Sequence, residues 1–184
     1  MENILYYALK IVYLLLPGIF ANMAPVLVKN VFKSLAIPVD CNKTFRGKRV
    51  LGDHKTVRGF LFGILFSIII AWIQTILYDF SFFRTISILP YSSSNFALLG
   101  FLMGFGALFG DSVKSFFKRR LNVEPGKPFF PWDQLDAPLG GIIFVSFVYQ
   151  LSFSLIIGVI VVSLILHLLI RTIGYYTGLN KERW

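Results

Sequence analysis

Long apolar runs alternate with short charged stretches along this chain, and the runs have the length of membrane-crossing helices. A bilayer's hydrocarbon core is roughly 30 Å thick and takes about twenty apolar residues to cross as a helix. The pattern predicts such helices over about 4–28, interrupted only by Lys10 and Pro17, over 59–78 and over 96–110. A last run, 139–170, carries no charge. At ~1.5 Å per residue it would make roughly 48 Å of helix, too long for one comfortable crossing. It reads as one long tilted helix or as two crossings meeting near the polar stretch 150–154.

The placement of charge chooses between these. The stretch after the first run holds Lys29, Lys33, Lys43, Arg46, Lys48, Arg49, Lys55 and Arg58, whereas the stretch after the second holds only Asp79 and Arg84. The later charged stretch is basic again, and so is the tail with Arg171, Lys181 and Arg183. Cytoplasmic loops carry the excess of Lys and Arg. Five spans, at about 4–28, 59–78, 96–110, 139–152 and 154–171, satisfy every loop with the N-terminus outside and the C-terminus inside; four would strand the basic tail. The expectation is an all-α integral membrane protein forming a single transmembrane catalytic domain over 1–184. Its functional loops, about 29–58 and 111–138, face the cytoplasm at the cell membrane.

Composition agrees: 56% of the 184 residues are hydrophobic. Topology and anionic headgroups account for the net charge of +9, and because the basic residues sit in short loops no nucleic-acid partner is expected. The single Cys41 excludes an internal disulfide.

Headgroups do not account for residues 110–140, GDSVKSFFKRRLNVEPGKPFFPWDQLDAPLG, where four of the nine acidic and five of the eighteen basic residues gather. If the third helix continues past Gly110, Asp111, Ser115 and Lys118 fall at i, i+4 and i+7 on one face, with Lys114 beside them. A carboxylate, a hydroxyl and an ammonium on one stripe suit a metal-bound polyphosphate; a snorkelling, solvated helix end uses the same residues. After Pro131, a favoured opening residue, Asp133 and Asp136 share a face at i, i+3. Such a pair suits a hard divalent cation such as magnesium, which takes one or two carboxylates plus phosphates and water; it also suits the helix dipole. Acids at the mouth of a span are costly and mark function. Between the two helices Pro125, Gly126, Pro128 and Pro131 predict a turn-rich loop from which Lys127 can reach phosphate.

In the first loop, Lys43, Arg46, Lys48, Lys55 and Arg58 can clamp phosphates, though a headgroup patch explains most of them as well. Asp53 and His54 are harder to explain that way. Thr56 is placed to cap the second span. Gly59–Gly63, Gly100–Gly104 and Gly106–Gly110 fit GxxxG, which permits close helix contact and a compact bundle, and allows a homodimer. His167, in an apolar span, reads as a packed or interfacial residue. A transporter would show ionisable groups near the midplane or paired broken helices, for which Lys10 and Pro17 are the only candidates.

The order Ser115, Lys118-Arg119, Lys127 and Asp133-Gln-Leu-Asp136 resembles the signature of CTP:phosphatidate cytidylyltransferases. Residues 45–59, FRGKRVLGDHKTVRG, together with 110–140 are similar to the small archaeal branch, the CDP-archaeol synthases. Two departures from the bacterial pattern favour that branch: Phe130-Pro131-Trp132 stands where His-Gly-Gly is usual, and Gln134 replaces an Arg between the acids. The resemblance implies transfer of a cytidylyl group from CTP to 2,3-bis-O-geranylgeranylglycerol 1-phosphate with release of pyrophosphate, and Mg2+ as cofactor. It implies Asp111, Lys118, Asp133 and Asp136 as catalytic residues, with Asp111, Asp133 and Asp136 around the metal. CTP and lipid phosphate would then contact Lys43, Arg46, Lys48, Asp53, Lys55, Thr56, Arg58, Ser115, Arg119 and Lys127. The alternatives are a cytidylyltransferase for diacyl phosphatidate or another lipid phosphate, and a small transporter or scaffold.

Overall fold

The computed structural model describes residues 3–124 and 127–177. The expected turn residues Pro125 and Gly126, and the tail residues Lys181 and Arg183, lie outside the described residues. Among the described residues the fold has six α-helices: α1 Ile4–Leu27, α2 Val57–Leu77, a short α3 Ser81–Ile86, α4 Phe96–Arg120, α5 Trp132–Ser146 and α6 Phe153–Tyr176. A 3-10 turn at Lys33–Leu35 and a two-stranded antiparallel ribbon, β1 Thr44–Phe45 and β2 Lys48–Arg49, decorate the connection from α1 to α2. In the ribbon Thr44 stands opposite Arg49 and Phe45 opposite Lys48.

Polar residues at the edges of the apolar runs start four of the helices. The side chains of Asn3, Thr56, Asn95 and Ser152 accept backbone N–H groups of the first turn, satisfying donors that a helix otherwise leaves orphaned. Thr56 accepts from Gly59 at 3.1 Å, as its position suggested. Among the described residues four helices are long and apolar enough to cross a membrane: α1, α2, α4 and the Phe153–Ile173 part of α6. The chain is a multi-pass, all-helical membrane protein.

The charge-free run 139–170 is two helices rather than one, broken over 147–152 close to the polar stretch noticed in the sequence. The third helix does continue past Gly110, to Arg120, and α5 opens at Trp132 just after Pro131, so the charged stretch 111–138 runs as two helix ends joined by a short connection. Residues 111–120 contain neither Pro nor Gly, so nothing stops the helix. It stops instead at a left-handed Asn122, φ 57°, where the Val123 N–H bonds the Lys118 carbonyl at 3.0 Å. That is the closure a helix makes when its flanking residue turns left-handed.

α4 is the axis of the bundle, and its two glycine pairs explain how. At about 100° per residue, pairs six positions apart point about 120° apart around the helix. Gly100 and Gly104 face α2: an added Cβ would stand 2.5 Å from the Ile68 Cα and 2.6 Å from the Ser67 Cβ. Gly106 and Gly110 face α5, where a Cβ would run into the carbonyl oxygens of Gly140 and Asp136. Gly63 packs on Leu108 and Ala21, and Gly59 on Pro25. The three GxxxG pairs are thus used for packing inside the protomer. The apolar core (Ile11, Leu14, Tyr91, Leu99, Ile142, Val145, Val159) fills one half of the bundle. The charged residues crown the other.

Candidate functional site

Because α4 and α5 meet backbone to backbone at Gly110 and Gly140, Asp111 is carried against the first turns of α5. There Asp133 and Asp136 stand on one face, and all three carboxylates surround one ammonium. Lys114 Nζ lies 3.1 Å from Asp111, 3.3 Å from Asp133 and 2.6 Å from Asp136. One turn on, Lys118 Nζ reaches Asp133 at 3.4 Å and the Lys127 carbonyl at 2.6 Å. Lys55, from the first loop, pairs with the far oxygen of Asp111. The Asp136 side chain is only 6% exposed. Burying this many charges is expensive and persists where the cluster has work to do.

Environment sets the two α5 acids apart, both in its opening turns and ahead of the stretch expected to enter the bilayer. Burial pushes Asp136 up to about 6, opposed by Lys114 and reinforced by the neighbouring Asp111. Burial acts on Asp133 in the same direction, but the Phe129 N–H at 2.6 Å and the Lys114 and Lys118 ammoniums hold it below the usual carboxylate range.

The first loop is held by an acid that sequence reasoning missed. Asp40 is buried and accepts from the Arg49 guanidinium at 2.9 Å and from the Leu51 and Gly52 N–H groups at 3.0 and 3.1 Å. Burial alone would raise its pKa; Arg49 and the backbone donors together hold it well below the usual range. The strand-like pairing of Val39 with Lys55 and Val57 with Ile37 then fixes the segment that delivers Lys55 to Asp111. Asp53, Lys55, Thr56 and Arg58 line a cavity of about 560 Å³ that ends at Asp111. Arg58 is buried and donates to the Val31 carbonyl at 2.8 Å.

The remaining candidates divide. Arg119 lies against Gly52, 3.9 Å from where a Cβ would stand, under the same loop. Ser115 donates to the Asp111 carbonyl at 2.9 Å, so its hydroxyl serves the helix backbone. The Lys127 side chain is exposed. Lys48 bonds Asn122 and the Arg120 carbonyl, tying the ribbon to the end of α4. Lys43 and Arg46 are exposed on the ribbon, where Arg46 covers Phe45; neither is brought to the acids. Lys114, the central cation, was visible in the sequence only as a neighbour of Asp111 at i+3.

Two other cavities flank α5 and share Asp136 as a wall. One, of about 490 Å³, lies between α4 and α5 and is lined chiefly by Phe, Leu, Ile and Trp side chains. The other, of about 420 Å³, lies among α1, α5 and α6 and has a mixed lining.

A family model described as CarS-like, CDP-archaeol synthase, matches residues 1–184. The chain belongs to the CDP-archaeol synthase family. It is 37% identical over 175 residues to the CDP-archaeol synthase of Methanococcoides burtonii, covering 88% of this chain and 100% of the relative. Against that of Methanocaldococcus jannaschii it is 38% identical over 148 residues, with 80% and 83% covered. A solved structure, described as an intramembrane enzyme for archaeal membrane lipid biosynthesis, superposes with a TM-score of 0.67 at 29% identity over 85% of this chain and 89% of that one.

In this CDP-archaeol synthase family member the donors fit magnesium by chemistry rather than as a finished cage. The oxygens are hard carboxylates, of which magnesium needs only one or two. Among the described residues no three acidic, imidazole or thiol groups converge on a metal-sized point. The reason is Lys114, whose ammonium occupies the middle of the cluster.

Proposed function

We propose that this chain transfers the cytidylyl group of CTP to an archaeal ether lipid phosphate, 2,3-bis-O-geranylgeranylglycerol 1-phosphate, yielding CDP-archaeol and pyrophosphate. Family membership over the whole chain supports it, and the observation that carries it is the meeting of three carboxylates with Lys55, Lys114 and Lys118 at the end of three cavities. The lipid phosphate oxygen attacks the α-phosphorus of CTP, and the bond from that phosphorus to the bridging oxygen of the β-phosphate breaks, so pyrophosphate leaves. A phosphate monoester already carries a nucleophilic oxyanion near neutral pH, so no strong base is required. Catalysis rests on positioning and on neutralising charge.

Lys55, Arg58, Lys118 and Arg119 bind triphosphate and lipid phosphate. Lys127, on the loop, is within reach of the leaving group. Asp111, Asp133 and Asp136 would hold Mg2+, which would supply positive charge to offset that developing on the phosphate oxygens. Lys114 orders the three carboxylates before the substrates arrive. The active site faces the cytoplasm of the cell membrane. Residues 139–152, the later turns of α5 and the break after it, supply the remaining crossing, which makes five with the N-terminus outside and the C-terminus inside.

The test is pyrophosphate release by the detergent-purified protein given CTP, Mg2+ and the geranylgeranyl ether lipid phosphate. Release that needs all three is expected. Release with diacyl phosphatidate alone keeps the chemistry and overturns the substrate, and no release from a folded protein overturns the enzyme.

A further inference from the structure

The cavity among α1, α5 and α6 contains polar groups that the chemistry above does not use. Gln134 on α5 and Ser163 on α6 both line it. They are 8% and 7% exposed, and their Oε1 and Oγ atoms have no hydrogen-bond partner. Buried polar atoms are nearly always bonded, so the unpartnered Ser163 hydroxyl, which can donate, marks a place where something else supplies an acceptor. Asn22 on α1 and His167 on α6 line the same space. Asp133 and Asp136 form part of its wall and so join it to the charged cluster. The rest of the lining is chiefly Leu, Ile and Met from α1, α4 and α6.

We infer that this cavity holds the glycerol–diether neck of the lipid phosphate, with the Ser163 hydroxyl donating to an ether oxygen and Gln134, His167 and Asn22 flanking it. The inference rests on the lipid-phosphate reading above and says where that substrate's neck lies. A diether neck offers only oxygen acceptors, spaced between a charged phosphate and apolar chains. A hydroxyl donor set between carboxylate-bound charge and aliphatic walls matches that sequence of chemistries. The other two cavities do not. The one between α4 and α5 has no neutral hydrogen-bonding side chain except the Trp132 indole, which suits a chain rather than a neck. The one beside the first loop presents Lys29, Lys55 and Arg58, which suits a triphosphate.

The test labels the cavity from inside. In a Cys41→Ser background, which removes the one native thiol, Ser163→Cys changes a single atom and keeps the packing. The purified protein is treated with an uncharged maleimide, with and without the geranylgeranyl ether lipid phosphate or CTP. The expected result is labelling that the lipid phosphate slows at least tenfold and CTP leaves within twofold. Protection by CTP instead, equal protection by both, protection by neither, or no labelling of the empty protein each overturns the inference. Ser163→Leu supplies a second readout: KM for the lipid phosphate should rise at least tenfold with KM for CTP unchanged, and an unchanged lipid KM overturns it. Protection requires no turnover, so an inactive wild-type enzyme would sink the proposed function while the labelling still reports on the cavity.

Discussion

Gly110→Ala is the sharpest probe of how this site is assembled, because one methyl group acts on a contact that both helices depend on. The added Cβ would meet the Asp136 carbonyl oxygen head-on and sit 2.9 Å from its carbonyl carbon, where ordinary contact is 3.4–4 Å. The neighbours are backbone, so no side chain can swing away, and relief requires α4 and α5 to part by about 1 Å. Asp111 belongs to one helix and Asp136 to the other. The 2.6 Å pair between Lys114 and Asp136 would open by a similar distance, and the three carboxylates would no longer share a centre. A misplacement of about 1 Å in a phosphoryl-transfer site costs on the order of 100-fold in rate, or about 2.7 kcal/mol of barrier. The overpacking itself costs about 1–3 kcal/mol of stability.

The assay is kcat/KM for pyrophosphate release beside thermal unfolding in detergent, with Gly100→Ala as the control. Gly100 presses on α2 as tightly, with a Cβ 2.5 Å from the Ile68 Cα, yet no charged residue rides on that contact. The expectation is a similar stability loss for both variants and a large rate loss for Gly110→Ala alone. A rate for Gly110→Ala within threefold of wild type, or an equal rate loss in a well-folded Gly100→Ala, would refute the assembly argument.

Asp133→Asn and Asp136→Asn should each abolish turnover while the protein still elutes as a folded species in detergent; wild-type-like activity in both would sink their role. Lys114→Met removes the ammonium between the carboxylates and should tighten Mn2+ binding, read by the free-Mn2+ electron paramagnetic resonance signal, while turnover falls; weaker Mn2+ binding would show that the lysine is not the competitor. Asp40→Asn should loosen the first loop at a cost of about 2–4 kcal/mol, measured by thermal unfolding against wild type. The Asp40 carboxyl is held below its unfolded value of about 3.9, so its stabilisation is complete above that value and is lost as pH falls through the folded value. The gap between the two proteins should therefore be flat from about pH 5 to 8 and close only in stronger acid. A gap that changes between pH 6 and 8 would assign the effect to another group.

Much of this molecule was legible in its sequence because membrane proteins obey coarse rules. Helix-forming runs, the cap at Thr56, and the pairing of Asp133 with Asp136 follow from spacing alone. What was not legible depends on contacts made at long range. Asp40 looked like one acid in a basic loop, and only the returning chain at Arg49, Leu51 and Gly52 makes it the loop's hub. Lys43 and Arg46 looked equivalent to Lys55, yet the ribbon turns them away and the pairing of Val39 with Lys55 turns Lys55 inward. A positive charge in sequence has no direction until the backbone around it is fixed.

Lys114 marks the deeper reason. Read along one helix, Asp111 and Lys114 are an ordinary i, i+3 pair, worth a few tenths of a kcal/mol and easily taken for surface decoration. What changes the residue's meaning is Gly106 and Gly110 on the same helix, which have no side chains and bring α5 to within backbone contact. Once α5 is that close, the lysine faces two more carboxylates with little water between them, and the same charge becomes the centre of the site. The glycines and the lysine are therefore one device: the close approach is useful only if a cation waits to meet the acids it delivers, and the cation is tolerable in the bundle only because the acids arrive. Removing the glycine contact should cost the site its geometry while leaving Lys114 on an otherwise intact α4, and removing Lys114 should leave the contact but unbalance the acids. The two variants should therefore fail differently, the first losing rate with weaker Mn2+ binding and the second losing rate with tighter Mn2+ binding.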